Sequence, residues 1–183
     1  MKKWNLVILF LLVCSLLIAG CTSAKPSGKP EDVNVDAIEQ VLIHQFSDDK
    51  VLVKLVESGE SATVIGSDGK VTQPKNPTKL ETYYKKLYGA YFTKNAFNAF
   101  VSVHAFRYVM LAHDHNYIMS VHTMDISEDN STKGAYDFLV HIELEKDGKN
   151  KNADVTGRVN FNNEGKITYI RYDDETFNKL LMK

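Results

Sequence analysis

Cysteine is nearly missing from this 183-residue chain, which has only Cys14 and Cys21. If the first twenty residues are removed, a single cysteine at the new N-terminus remains. That excludes internal disulfides and cysteine-type metal sites, so the folded part is held by packing alone. Excess positive charge is missing too: 22 basic residues stand against 23 acidic ones. This balance gives no electrostatic reason to bind nucleic acid. The chain has no repeat of fixed period, P-loop, nucleophile elbow or dinucleotide fingerprint, and implies no cofactor. Its long apolar run, Leu6 to Leu17, is shorter than the roughly 20 residues a membrane-spanning helix needs.

That apolar run is nevertheless informative. Lys2 and Lys3 precede it, and Leu17-Ile18-Ala19-Gly20-Cys21 follows it. A basic start, an apolar core and small residues before a cut are the three parts of a secretory signal. Ile18-Ala19-Gly20-Cys21 closely resembles the bacterial lipobox. The resemblance implies cleavage after Gly20, a diacylglycerol thioether on Cys21 and an added fatty acyl chain such as palmitate. The protein would then be tethered on the extracytoplasmic face of a bacterial cell membrane. Two acyl chains suffice for lasting attachment, at ~0.8 kcal/mol per buried methylene. Losing Lys2 and Lys3 leaves 20 basic residues against 23 acidic, a net charge of about −3. The domain scheme is therefore residues 1–20 as signal peptide, 21–31 as a polar, proline-containing tether and 32–183 as one folded domain.

From Asp32 the pattern turns helical, with Ile38, Val41, Leu42 and Phe46 spaced by three and four residues. Lys50 to Glu57 fits both helix and strand. Ala62 to Gln73 reads as a small hairpin turning at Gly66-Ser67-Asp68-Gly69. Thr78 with Glu81 makes a capping box, opening a helix with an aromatic stripe through Tyr84 and Tyr88; Gly89 is its weak point. The remainder reads as a meander: Val103–His113, Tyr117–Ile126, Ala135–Lys146, Asp154–Phe161 and Lys166–Tyr172. The strongest alternation places Tyr136, Phe138, Val140, Ile142 and Leu144 on one face. Phe177, Leu180 and Leu181 dock the end of the chain.

Helices followed by strands predict an α+β fold, with N-terminal helices packed on a curved antiparallel sheet of four to five strands. In element order over about residues 32–175, this resembles the NTF2-like (cystatin-like) superfamily, in which a curved sheet wraps a helix into a cone. The resemblance implies a cone interior that either binds an apolar ligand, carries pocket catalysis, or is simply core.

A first hairpin closing at His113 and Asn116 brings Phe106 opposite Thr123 and His104 opposite Asp125. The next pairing brings Val121 opposite Val140 and Asp125 opposite Tyr136. One face then carries Phe106, Tyr108, Met110, Met119, Phe138 and Val140 as ligand-pocket candidates, with His104 and Asp125 at the rim. A histidine beside a carboxylate can act as an acid/base pair, as in an isomerase or dehydratase, or can be an ordinary cross-strand pair. His113-Asp114-His115 reads as a solvated turn, not a metal site, because no third ligand is evident. Arg107, His122 and His141 read as a half-polar outer face. The expected role is non-enzymatic binding, of a small apolar ligand or of a protein partner; a structural envelope or mobile-element accessory role is a further alternative. A large pocket lined by Phe106, Tyr108 and Met119 favours a ligand, and a filled cone with exposed apolar residues favours a partner.

Overall fold

The computed structural model describes residues 32–59, 64–65, 71–72 and 77–182. The signal, Cys21, the tether and the Gly66–Gly69 turn lie outside the described residues. Among the described residues, no helix is long and apolar enough to cross a membrane.

The chain begins with α1 (Val33–Gln45), capped by Asp32, whose side chain accepts from the Asn34 amide. Ile38, Val41 and Leu42 are fully buried along one stripe. α2 (Lys50–Glu57) resolves the segment that fits both patterns. Asp49 accepts from the amides of Val51 and Leu52, which nucleates a helical turn, and Leu52 and Val53 go inward together. Two short strands follow, β1 (Val64–Ile65) and β2 (Val71–Thr72), paired antiparallel.

In α3 (Lys79–Tyr88) the capping box of Thr78 and Glu81 is complete in both directions. The helix ends at Gly89, and Thr93 caps a separate α4 (Lys94–Val103).

The next segment corrects the sequence reading. Val103–His113 is not a strand: α4 runs to Val103, and α5 (Arg107–Asp114) follows. Tyr108, Val109 and Ala112 are buried, which is one helical face. Asn116, at φ 59°, stops α5. The Tyr117 amide donates to Ala112 and the Asn116 amide to His113, the two bonds of a Schellman end. The expected hairpin tip is thus a helix terminus.

The sheet has four antiparallel strands in the order β3 (Ile118–Glu128), β4 (Ala135–Lys146), β5 (Lys149–Phe161), β6 (Ile167–Asp173). β4 follows the expected alternation, with Tyr136, Phe138, Val140, Ile142 and Leu144 all buried. Positive φ at Asp147 and Gly148 closes the tight β4–β5 turn. The register differs from expectation. Val121 pairs with Ile142 instead of Val140, and beyond a bulge at Val121/Thr123 Asp125 pairs with Leu139 instead of Tyr136. The bulge adds a residue and exchanges the faces, so Met119 and Val121 share the inner side with Met124 and Ile126.

α6 (Glu175–Leu181) closes the chain by burying Phe177 and Leu181 completely. The result is an α+β domain whose helices cover the inner face of a four-stranded antiparallel sheet. Where the sheet and helices meet, Phe46 stacks on Tyr108 at 4.7 Å between ring centroids. Tyr172 and Phe177 surround this pair at 5.6–6.0 Å, and Phe138 packs on Tyr172 at 5.7 Å. These rings fill the space where the sequence suggested a pocket. Tyr108, Met119, Phe138 and Val140 are core, Met110 packs against it half-buried, and Phe106 is 39% exposed at the start of α5.

Candidate functional site

His104 is the residue from which the site is built. It ends α4, its amide donating to Phe100 at 2.7 Å, and its carbonyl accepts from Arg107 at the start of α5. Two helices therefore meet at this imidazole. Its ring lies 5.0 Å from Tyr172 and 6.0 Å from Phe100. The Nδ1 atom is buried and has no hydrogen-bonding partner in the protein. Burial, and then the nearby Arg107 guanidinium, hold the imidazole below the usual histidine range, while Asp174 opposes them. The ring is therefore neutral at neutral pH.

Behind His104 lies an incompletely satisfied polar group. Gln45 is 1% exposed. Its Nε2 donates to the Tyr88 hydroxyl at 3.3 Å and to the Ala105 carbonyl at 3.4 Å, but its Oε1 has no partner. The hydroxyls of Tyr84 and Tyr172 are likewise buried without one. Tyr108, by contrast, donates to Asp174 at 2.6 Å, and Asp174 also pairs with Arg107 at 3.1 Å. Burial pushes the phenols of Tyr84, Tyr88, Tyr108 and Tyr172 up, so all four stay protonated.

The expected partnership of His104 with Asp125 does not exist. Asp125 is on the outer side of β3, where its carboxylate lies 3.8 Å from the His141 ring. His141 makes a closer contact with Asp154, at 2.7 Å. The strand needed to carry His104 is a helix, and the β3 bulge turns Asp125 outward. His141 does lie on the outer face, as expected, and His122 is exposed at the bulge. Arg107 does not share that face, because it sits on α5 and holds Asp174. His113 contacts Glu57 at 3.2 Å.

His104 also lines a half-open cleft of about 180 Å³ between α4 and β6. Phe92, Phe100 and Ile170 form its walls, and Ala96 and Ala99 leave room along α4. Val103 and Tyr169, both more than half exposed, stand at its rim. A wider depression of about 730 Å³ lies beside Tyr136 and Phe161. Its polar atoms are largely committed to one another. The Tyr136 hydroxyl joins Asp32 and Asn34, the Asn162 side-chain oxygen accepts from two amides, and Glu128 accepts from Gly134. The wider depression is a structural seam, whereas the smaller cleft is lined mostly by apolar side chains.

Tyr172 and Asp174 escaped the sequence reading as site residues, and Gln45 falls on the helical stripe of Ile38, Val41 and Leu42 without a polar role foreseen for it. Tyr172 had a signal, as the aromatic end of the last strand. Asp174 had none, since its partners are 66 and 67 residues away in the chain.

No family model matches the chain, and no curated protein matches it. Among solved structures, it is similar to a solution NMR structure of a de novo designed β-sheet protein, a structural-genomics target. That similarity has 14% identity and a TM-score of 0.42, over 76% of this chain and 86% of the other. So weak a likeness carries no argument about function.

Proposed function

We propose that this protein is a lipid-anchored, extracytoplasmic binding domain of NTF2-like form that holds a small apolar ligand and catalyses no reaction on it. The observation that carries the reading is His104. It lines an apolar cleft, burial keeps it neutral, and Asp125, the carboxylate expected beside it, is on the outer side of the sheet with His141. The surrounding phenols are held protonated by burial, so they offer hydrogen bonds beside the apolar surface of the cleft. The anchoring half of the proposal rests on Lys2-Lys3, the Leu6–Leu17 run and Cys21.

A second reading, a protein partner, is favoured by the filled space between sheet and helices together with exposed Val103, Phe106 and Tyr169. In that case these residues are contact points and the cleft is incidental.

Two measurements test the proposal. Radiolabelled palmitate should enter the wild-type chain and be absent from Cys21→Ala, which should also leave the membrane fraction. An unlabelled wild-type chain removes the anchor. An apolar fluorescent probe should bind the full chain saturably and lose binding when Ala99→Leu fills the cleft. Equal probe binding by both chains removes the ligand reading and leaves the partner reading.

A further inference from the structure

We propose that the free edge of β6 takes up one extended peptide strand, which bonds to the backbone of Ile170 and Tyr172 and sets a carboxylate beside Arg171. The inference goes beyond the small-ligand reading and does not rest on it, because backbone groups and Arg171 carry it.

β6 is an outer strand of the sheet, with β5 on one side. On its other side the chain itself begins such an addition. Phe92 bridges Ile167 in parallel: the Thr93 amide donates to the Ile167 carbonyl at 3.0 Å, and the Ile167 amide donates to the Tyr91 carbonyl at 2.8 Å. Thr93 then caps α4, and the chain leaves the edge.

Gly157 fixes where the next backbone groups point. The Arg171 carbonyl is the nearest atom that a Cβ on Gly157 would meet, so it points toward β5. The trans peptide sets the Tyr172 N–H opposite that carbonyl, and strand alternation turns the Ile170 carbonyl away from β5 as well. Among the described residues, nothing bonds to these groups on that side. Nor does α4 close over them, since Thr168, Tyr169 and Ile170 line the half-open cleft. Unpaired edge groups of this kind template a further strand.

Side chains fix the kind of peptide. Arg171 is exposed and forms no ion pair among the described residues. Its cross-strand partner is Arg158, whose guanidinium is held by Asp129 and Asp137. An acidic side chain opposite Arg171 therefore gains a cross-strand charge pair. Asp173, exposed on the same face two positions on, disfavours a second acid there. The residues flanking the acid turn toward the helix side, where Val103 is 55% exposed at the cleft rim. The pattern is apolar, acidic, apolar. The edge from Thr168 to Asp173 is six residues, about 20 Å, which suits a peptide and is short for the interface of a stable dimer.

The probes are an acetylated, amidated peptide Ser-Thr-Val-Glu-Val-Thr-Ser and its counterpart with lysine in place of glutamate. Binding to the full chain is read from amide NMR shifts and hydrogen exchange. We expect saturable binding, with the glutamate peptide tighter by about threefold or more at low salt. Exchange of the Tyr172 amide should slow on binding. Arg171→Glu should reverse the preference between the two peptides. Absence of saturable binding, or binding that leaves the Tyr172 amide unprotected, overturns the proposal. Equal binding of both peptides overturns the role of Arg171. A free chain that sediments as a dimer with that amide already protected gives the edge to a second copy and overturns the peptide. The apolar probe and Ala99→Leu test the small-ligand reading separately, so the two fail independently.

Discussion

The Tyr108 hydroxyl donates to Asp174 across 66 residues of sequence, at 2.6 Å, and joins α5 to the end of β6. Arg107, one residue earlier, holds the same carboxylate from its exposed side. The two contacts are unequal. Tyr108 is 1% exposed and stacked on Phe46, whereas the Arg107 side chain is 41% exposed. Tyr108→Phe should therefore cost about 2 kcal/mol, the range for a hydrogen bond to a charged group. Arg107→Ala should cost under about 1 kcal/mol. Urea unfolding midpoints at constant m report both.

Asp49 has two roles that can be separated. One carboxylate oxygen caps α2 and the other accepts from the Tyr83 hydroxyl on α3 at 2.8 Å. Burial, then the hydrogen bond and charge of Asp49, push Tyr83 up to about 12. Asp49→Asn keeps a good cap but removes the charge, so the Tyr83 pKa should fall with little loss of stability. Asp49→Ala should lose the cap as well, at about 1 kcal/mol. Ultraviolet titration of tyrosine ionisation and thermal unfolding distinguish the variants.

Acid sensitivity should concentrate in the β3–β4 loop. Asp129 is held down at about 2, first by the Ser131 hydroxyl and amide and then by Arg158. Asp137 is lowered by the same arginine, which donates to both of its oxygens. Depressed folded-state values mean that this stabilisation is complete above the ordinary carboxylate value, near 3.8. It is lost as pH falls toward about 2. Ser131→Ala should raise the Asp129 pKa, seen by carboxyl-carbon NMR titration, and move acid unfolding to higher pH. An unmoved Asp129 value would refute the assigned cause.

Gly157 in β5 allows no side chain. A Cβ there would collide with the Arg171 carbonyl on the neighbouring strand and with the ring of Phe138. Backbone cannot retreat from a sheet pairing, and Phe138 is packed against Tyr172. Gly157→Ala should cost about 3 kcal/mol or prevent folding, which chemical unfolding or loss of near-ultraviolet dichroism records.

The elements legible in sequence were those whose cause is local. The Thr78–Glu81 box and the β4 alternation each depend on residues a few positions apart. Tyr84 and Tyr88 were correctly read as core because one helix face repeats at that spacing. The Val103–His113 segment was misread because its apolar residues suit a strand as well as a helix. Packing of Tyr108 between Phe46 and Tyr172 accompanies the helical outcome.

The candidate site shows the same division. His104 was singled out by its chemistry, but its neighbours were assigned through a strand register that a helix and a bulge both break.

By itself the sequence determined which residues were apolar enough to form a core, where several helices start, and that no internal disulfide ties the domain together. Tertiary structure alone decided that Asp125 turns outward and that His104 lines a cleft and packs beside Tyr172. A strand alternates every second residue, so one extra residue in β3 reverses its facing, and only pairing with β4 fixes where that residue goes.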